Sequence, residues 1–206
     1  MMLELTDYRR RVHALYAAVR DEAAPVEERW QHWVAGRDEL FAHHSQTALS
    51  LEQLTIFDGL RYYDYDPTYR LLVEMQPISD PEIITIPLQN DGEFQMRRVG
   101  RLAFEVRGQF AELTLYWILG YGGGLFLPFR DASGQGGTTY PGTRYLLDTI
   151  KGADLGRQDG QLVLDFNFAY NPSCAYHHRW HCPLAPQENW LDIPIPVGEQ
   201  AYPDAK

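Results

Sequence analysis

Apolar positions recur every three or four residues at the start of the chain. Tyr8, Val12, Leu15, Tyr16 and Val19 fall on one face of a helix, and Thr6 and Asp7 stand where its start would be capped. The run Asp21-Glu22-Ala23-Ala24-Pro25 interrupts that helix. Pro25 suits the first turn of a second one, with Glu27 and Glu28 beside its positive end. The second helix carries Trp30, Trp33, Val34, Leu40 and Phe41. Residues 1–44 thus read as a helical hairpin placed before the rest of the chain.

From Leu54 onward the period changes to two. Leu102, Phe104 and Val106 alternate with Arg101, Ala103, Glu105 and Arg107. After the turn Arg107-Gly108-Gln109, the residues Ala111, Leu113, Leu115, Trp117 and Leu119 share a face opposite Glu112, Thr114 and Tyr116. This alternation predicts an antiparallel pair, 101–107 with 110–119, that turns Phe104 and Leu113 inward. Further strands are expected near 56–64, 69–76, 82–88, 94–100, 124–130, 143–148 and 161–168. Turns such as Asp64-Tyr65-Asp66-Pro67, Asn90-Asp91-Gly92 and Gln158-Asp159-Gly160 punctuate them. The connections are too short for helical crossovers, which favours an antiparallel barrel or sandwich. Beyond Asn171 come Pro172, Pro183, Pro186, Pro194, Pro196 and Pro203, the mark of an extended tail laid over the sheet. The expected fold class is α+β and mostly β: the helical hairpin, an antiparallel β core over 54–170, and a Pro-rich tail over 171–206. No repeat, linker or low-complexity stretch divides the 206 residues, so one domain is expected.

Composition narrows the function classes. Lys and Arg total 18 against 28 Asp and Glu, a formal charge of −10. That balance repels phosphate backbones and anionic lipid, so neither nucleic acid nor membrane is an expected partner. The start of the chain has no basic stretch followed by an apolar core, which makes a cytoplasmic protein the expectation. Two cysteines are too few to staple a chain of this size, so packing must hold it together. Phosphate-loop, nucleophile-elbow and His-Glu-x-x-His motifs are all missing. Tyr121-Gly122-Gly123-Gly124 lies between two strands and reads as a turn.

Two regions could carry chemistry. The first is Cys174-Ala175-Tyr176-His177-His178-Arg179-Trp180-His181-Cys182. Cys174, Cys182, His177 and His181 are a zinc alternative by residue type, but the spacing matches no familiar ligand set, so no cofactor is the preferred expectation. A buried thiol pair and a short-loop disulfide are the other readings. The second region is a polar set spread over three segments: Arg130-Asp131, Tyr140 with Arg144, Asp165 with Asn167, then Tyr170-Asn171 and Glu188-Asn189. Asp165 and Asn167 alternate with Leu162, Leu164 and Phe166 and so share the face opposite the greasy one. A carboxylate placed there needs a cationic or multi-donor partner, which makes convergence of Arg130, Asp131, Arg144, Asp165 and Asn167 the expectation.

The strings Phe126-Leu127-Pro128-Phe129-Arg130-Asp131, Thr139 to Leu146 and Leu164 to Tyr176 resemble blocks of the domain-of-unknown-function 1684 family. So do Cys182 to Leu191, Gly198-Glu199 and, more loosely, Trp33, Arg37, Leu40-Phe41 and Phe57 to Leu60. The resemblance implies an uncharacterised bacterial or archaeal protein and no particular reaction. It singles out the positions of Arg130, Asp131, Arg144, Asp165, Asn167, Tyr170, Asn171, Glu188, Asn189 and both cysteines, and leaves out the histidines. The chain departs from the pattern at Pro141, Thr143 and Ser173, which bears on loop shape.

Two functional readings follow. In the first, a barrel-mouth pocket binds a small polar or anionic ligand. Arg130 or Arg144 grips the anionic group, and Asn167 and Asn171 orient the ligand together with Asp131, Tyr140, Tyr170, Glu188 and Asn189. Asp165 is then the acid–base residue of any hydrolase-like step. In the second, a non-catalytic interaction protein, the same set is a buried clasp that pins the tail. Oligomeric state is not legible at this level.

Overall fold

The computed structural model describes residues 2–79, 81–88 and 92–203. Three helices open it: α1 (Met2–Arg20), α2 (Val26–His43) and α3 (Leu51–Ile56). Thr6 and Asp7 lie inside α1 and do not cap it. Asp7 instead pairs with Arg11 Nε at 2.7 Å, one turn on, and with His44 Nε2 at 3.3 Å. The expected strand over 56–64 does not form. Ser50 and Gln53 close a capping box, each side chain bonded to the other's backbone N–H, and that box nucleates α3. Beyond it Tyr62 makes an isolated antiparallel bridge to Glu199.

The strands are β1 (Arg70–Val73), β2 (Met75–Pro77), β3 (Ile83–Leu88), β4 (Gly92–Val106), β5 (Gln109–Ile118), β6 (Gly124–Asp131), β7 (Arg144–Asp148), β8 (Arg157–Gln158), β9 (Gln161–Asp165) and β10 (Trp190–Leu191). They form two sheets and, among the described residues, no closed barrel. One sheet runs β1-β9-β8; the other runs β10-β6-β5-β4-β2, with β3 also on β4 and β7 also on β6. Pairing is antiparallel except for β10, which lies parallel to β6. The long chain between β6 and β10 gives the crossover that a parallel pair requires, and an all-antiparallel reading overlooks it. The expected strand over 161–168 ends at Asp165, because the Asp165 side chain accepts the Asn167 N–H at 3.1 Å and starts a 3-10 turn over Phe166–Phe168. The predicted turn at Asn90-Asp91 lies outside the described residues.

The predicted hairpin is present as β4 and β5, with Leu102 opposite Leu113 and Phe104 opposite Ala111. Leu102, Phe104, Val106, Leu113 and Leu115 bury against Tyr16 and Val19 of α1 and Trp33 of α2. Each such side chain removed from water stabilises the fold by about 1.5–3 kcal/mol. The face expectation fails farther along. A bulge in β4 between Arg98 and Gly100 puts Met96 on the side opposite Leu102. There Met96, Tyr116, Ile118 and Phe126 build a second apolar cluster, and Trp117 is left 41% exposed.

After Asn171 the chain holds 3-10 turns at Ser173–Ala175 and Gln187–Asn189, then β10. No helix among the described residues is long and apolar enough to cross a membrane.

Candidate functional site

Asp131, at the end of β6, and Arg144, at the start of β7, meet. Arg144 Nη2 donates to Asp131 Oδ1 at 2.8 Å, and the Arg144 guanidinium also donates to the carbonyls of Ile195 and Val197. Asp131 accepts further bonds from the Ile195 N–H at 2.8 Å and from Ser133. Both side chains are buried and hold the 195–197 segment against the sheet. Arg130 is not part of this cluster. Adjacent strand residues point to opposite faces, and its guanidinium stacks over the Trp190 ring at 4.7 Å.

Asp165 sits elsewhere. Its carboxylate accepts the Tyr65 hydroxyl at 2.9 Å and Asn167 Nδ2 at 2.8 Å, and Arg70 Nε lies 4.0 Å away. Burial raises its pKa, and the Asn167 and Tyr65 hydrogen bonds oppose that rise. Asn167 also exchanges two bonds with the backbone of Asp66. The expected convergence therefore resolves into two clusters, Asp131 with Arg144 and Asp165 with Asn167, with Arg130 in neither. Each carboxylate found its donors in a different segment distant in sequence: the tail for one, the Tyr65 loop and Arg70 for the other. Asp165 borders a narrow cleft of about 90 Å³ that Arg20, Arg29, Arg70 and Arg157 also line.

Glu188 accepts Arg98 Nε at 2.8 Å and the Tyr116 hydroxyl at 2.9 Å. Asn189, fully buried, exchanges both bonds with the Thr114 backbone and donates to Pro128 O. Both therefore brace the tail. The Tyr140 hydroxyl is 3.9 Å from Cys174 Sγ.

The larger cavity, about 360 Å³, lies between α1, α2 and the segments around 145–153 and 170–182. Its wall is aromatic, with Tyr8, Tyr16, Phe41, Tyr145, Tyr170, Tyr176 and Trp180. Its cations are Arg9, Arg37 and Lys151, and among the described residues no carboxylate lines it. Of the polar set expected from the sequence, only Tyr170 and Asn171 line it. Asn171 donates its backbone N–H to Glu199 at 3.0 Å and Nδ2 to Gln200 O at 2.8 Å. Its Oδ1, buried, has no partner among the described residues.

Arg37, outside the polar set expected from the sequence, lines the cavity. It donates Nε to the Tyr62 hydroxyl at 2.7 Å and Nη2 to Glu199 Oε2 at 2.8 Å. The rings of Trp33, Phe41 and Tyr170 surround it at 5.0–5.4 Å. Its Nη1 makes no hydrogen bond among the described residues. Burial would lower the pKa of this cation, but the neighbouring phenols and Glu199 hold it well above the ordinary arginine value. Glu199 also accepts the Tyr176 hydroxyl, and burial pushes its carboxyl up. A signal was available: Trp33, Arg37 and Phe41 are spaced four apart on one helical stripe. A cation placed in an apolar stripe requires a buried partner.

The cysteines come together. The Cys174 N–H donates to Cys182 Sγ at 3.4 Å, and both are free and half-buried, short of the fuller burial expected for a structural thiol pair. Cys182 and His181 line the large cavity and His177 does not. Among the described residues no group of three or more His, Cys, Asp or Glu side chains is placed to hold a metal ion.

No curated protein matches the chain. An uncharacterized protein of Haloarcula marismortui, solved by solution NMR, is 30% identical, with a TM-score of 0.58 over 84% of this chain and 93% of that one. Residues 55–200 match the model of a family described as a protein of unknown function, DUF1684, and that span contains every residue of the polar set above. The chain therefore belongs to the DUF1684 family of proteins of unknown function.

Proposed function

We propose that the protein binds a small molecule with an apolar or aromatic body and one anionic group, in the cavity between the helical hairpin and the 170–182 segment. The observation that carries this is the make-up of the wall. Seven aromatic side chains and the cations Arg9, Arg37 and Lys151 line the space with no carboxylate among the described residues, on a chain of net charge −10; behind that lining Arg37 pairs with Glu199 at 2.8 Å and Lys151 with Asp148 at 3.1 Å. A lining that presents cation donors and no carboxylate favours an anionic group, which would share Arg37 with Glu199 and Lys151 with Asp148. A volume of about 360 Å³ falls in the range of small-molecule sites, which are mostly apolar with a few placed polar groups. Arg37 Nη1 and Lys151 would meet the anionic group, and Asn171 Oδ1 would accept a donor from the ligand. Acid–base chemistry at Asp165 would instead require a reacting group of a few atoms, since its cleft measures only about 90 Å³.

A second reading has its own support, for different residues. Asp131, Arg144 and Asn189 spend their hydrogen bonds on backbone groups of the tail and sheet. In this reading they are a clasp, and ligand recognition belongs to the cavity alone.

The test is a thermal-shift and calorimetric titration with benzoate, phenylacetate and 3-phenylpropanoate, each beside its neutral primary amide. The carboxylates should bind saturably and raise the melting temperature while the amides should not. Lys151→Gln should weaken the carboxylates about tenfold, the effect of losing roughly 1.4 kcal/mol of charge-assisted contact. Equal response to acids and amides, or no response to either, removes the anionic-ligand reading.

A further inference from the structure

We propose that Cys182 and Cys174 form a reversible dithiol–disulfide couple on the cavity wall, in which Cys182 attacks a hydroperoxide and Cys174 resolves the product. The proposal stands apart from the ligand reading, because it needs nothing bound in the cavity.

Geometry comes first. Two thiols eight positions apart are brought into contact by a segment with little regular structure: a 3-10 turn at Ser173–Ala175, then turns up to Trp180. The Cys174 N–H already points at Cys182 Sγ, 3.4 Å away. Both cysteines are only partly buried and Cys182 lines the large cavity, which gives a small oxidant a route to it. No strand or long helix has to break for the two sulfurs to bond.

The hydrogen bonding within the pair then gives each thiol a role. The titratable groups facing it are Tyr140, Tyr145 and Lys151, the last paired with Asp148 at 3.1 Å, with His181 next to Cys182 in the chain. The Cys174 side chain, hydrogen-bonded to Cys182, pulls the Cys182 thiol down to about 7; burial opposes this, and the Cys174 N–H and Lys151 add to it. Cys174 is pushed up, first by its bond to Cys182 and then by burial, so it keeps its proton. A thiolate whose pKa lies near ambient pH combines availability with nucleophilicity. Reactive redox cysteines share these properties: low pKa, access to solvent and a neighbouring thiol to resolve the product.

The chemistry balances with a hydroperoxide as the oxidant. The Cys182 thiolate attacks the distal peroxide oxygen; an S–O bond forms, the O–O bond breaks, and the leaving oxygen takes a proton to become water or an alcohol. Cys182 is now a sulfenic acid. Cys174 then gives up its proton and attacks Cys182 Sγ; the S–S bond forms, the S–O bond breaks, and water leaves. Two electrons pass from the two sulfurs to the peroxide, and an external thiol returns them.

The test uses the full reduced chain and hydrogen peroxide. Intact mass should fall by two hydrogens, and peptide mapping should place the new bond between Cys174 and Cys182. Cys174→Ser should instead gain one oxygen, which dimedone captures at Cys182. Alkylation of the untreated wild-type protein by iodoacetamide should be at least about tenfold faster at Cys182 than at Cys174, with an inflection near pH 7. The alkylation and mapping use the wild-type chain, so they decide the matter even where a serine variant fails to fold. Peroxide that oxidises methionines and leaves both thiols alkylatable would overturn the proposal. So would equal alkylation of the two cysteines with an inflection near the free-thiol value.

Discussion

Arg144 and Asp131 carry opposite charges in a place with almost no water, their side chains 1% and 3% exposed. Such a pair contributes little net stability, but removing one partner strands the other. Asp131→Ala should therefore cost about 3–5 kcal/mol in urea unfolding, because Arg144 keeps its charge and loses its counterion. Replacing both by apolar residues of similar volume should cost less than Asp131→Ala alone; a larger loss in the double variant would sink the clasp. Cys182 supports a prediction of a different kind. Its folded pKa of about 7 lies below the ordinary 9.0, so between those values the unfolded chain binds the extra proton. Its contribution to stability is thus complete above pH 9, grows as pH rises from 7, and is lost as pH falls through 7. Cys174 shifts upward and contributes in the opposite sense only above pH 9. Under reducing conditions, the stability of the wild type minus that of Cys182→Ser should increase between about pH 6.5 and about pH 8.5. A flat difference would show that Cys182 titrates alike in both states.

At the scale of elements, the tail passes the Phe166–Phe168 turn at Gly198. Its φ of +76° is left-handed, and a Cβ there would stand 2.7 Å from Phe166 O and 2.8 Å from Ala169 O. Both obstacles are backbone, held by the 3-10 turn that Asp165 caps. Gly198→Ala should cost about 1–3 kcal/mol from the backbone conformation alone, with the clash adding to it. It should also displace Glu199 and so loosen Arg37; an unchanged urea midpoint would refute this account. The capping box of α3 gives a smaller effect. Ser50→Ala should lower stability by about 1 kcal/mol, whereas Ser50→Asp should largely preserve it. Chemical denaturation of the two variants measures both.

Over the whole molecule, stability is unevenly distributed. β4 and β5 are packed on both faces for part of their length, whereas α1 fully buries only Tyr16 and Val19, packs Val12 and Leu15 half-buried against the core, and turns Leu5, Tyr8 and Val12 to the cavity. Hydrogen exchange should therefore be fastest in α1 among the long elements and slowest along the β4–β5 ladder. A ligand that fills the cavity should slow α1 selectively, since it supplies the contacts that helix lacks. Uniform protection across α1, β4 and β5 would show that the helix is as firmly held as the sheet.

The helices α1 and α2 and the β4–β5 hairpin were legible in the chain itself, because a face that must leave water repeats at 3.6 or 2.0 residues whatever covers it. The family was legible for a related reason: the strings around Arg130, Asp165 and Asn189 are long and specific. Local rules also hold at the Ser50–Gln53 box, whose two residues cap α3 by their spacing alone. What covers each face was decided only by the tertiary structure. The bulge at Val99 moved Met96 to the other side of the sheet, the long crossover placed β10 parallel to β6, and both altered which side chains meet. Several residues of the polar set are buried and hydrogen-bonded, but partner identity is a long-range property. Asp165 took Tyr65 and Arg70, Arg144 took Asp131 and the tail carbonyls, and Arg37 found Glu199 from the far end of the chain. A buried charge states in the sequence that it must be answered; which group answers it is settled when the elements pack.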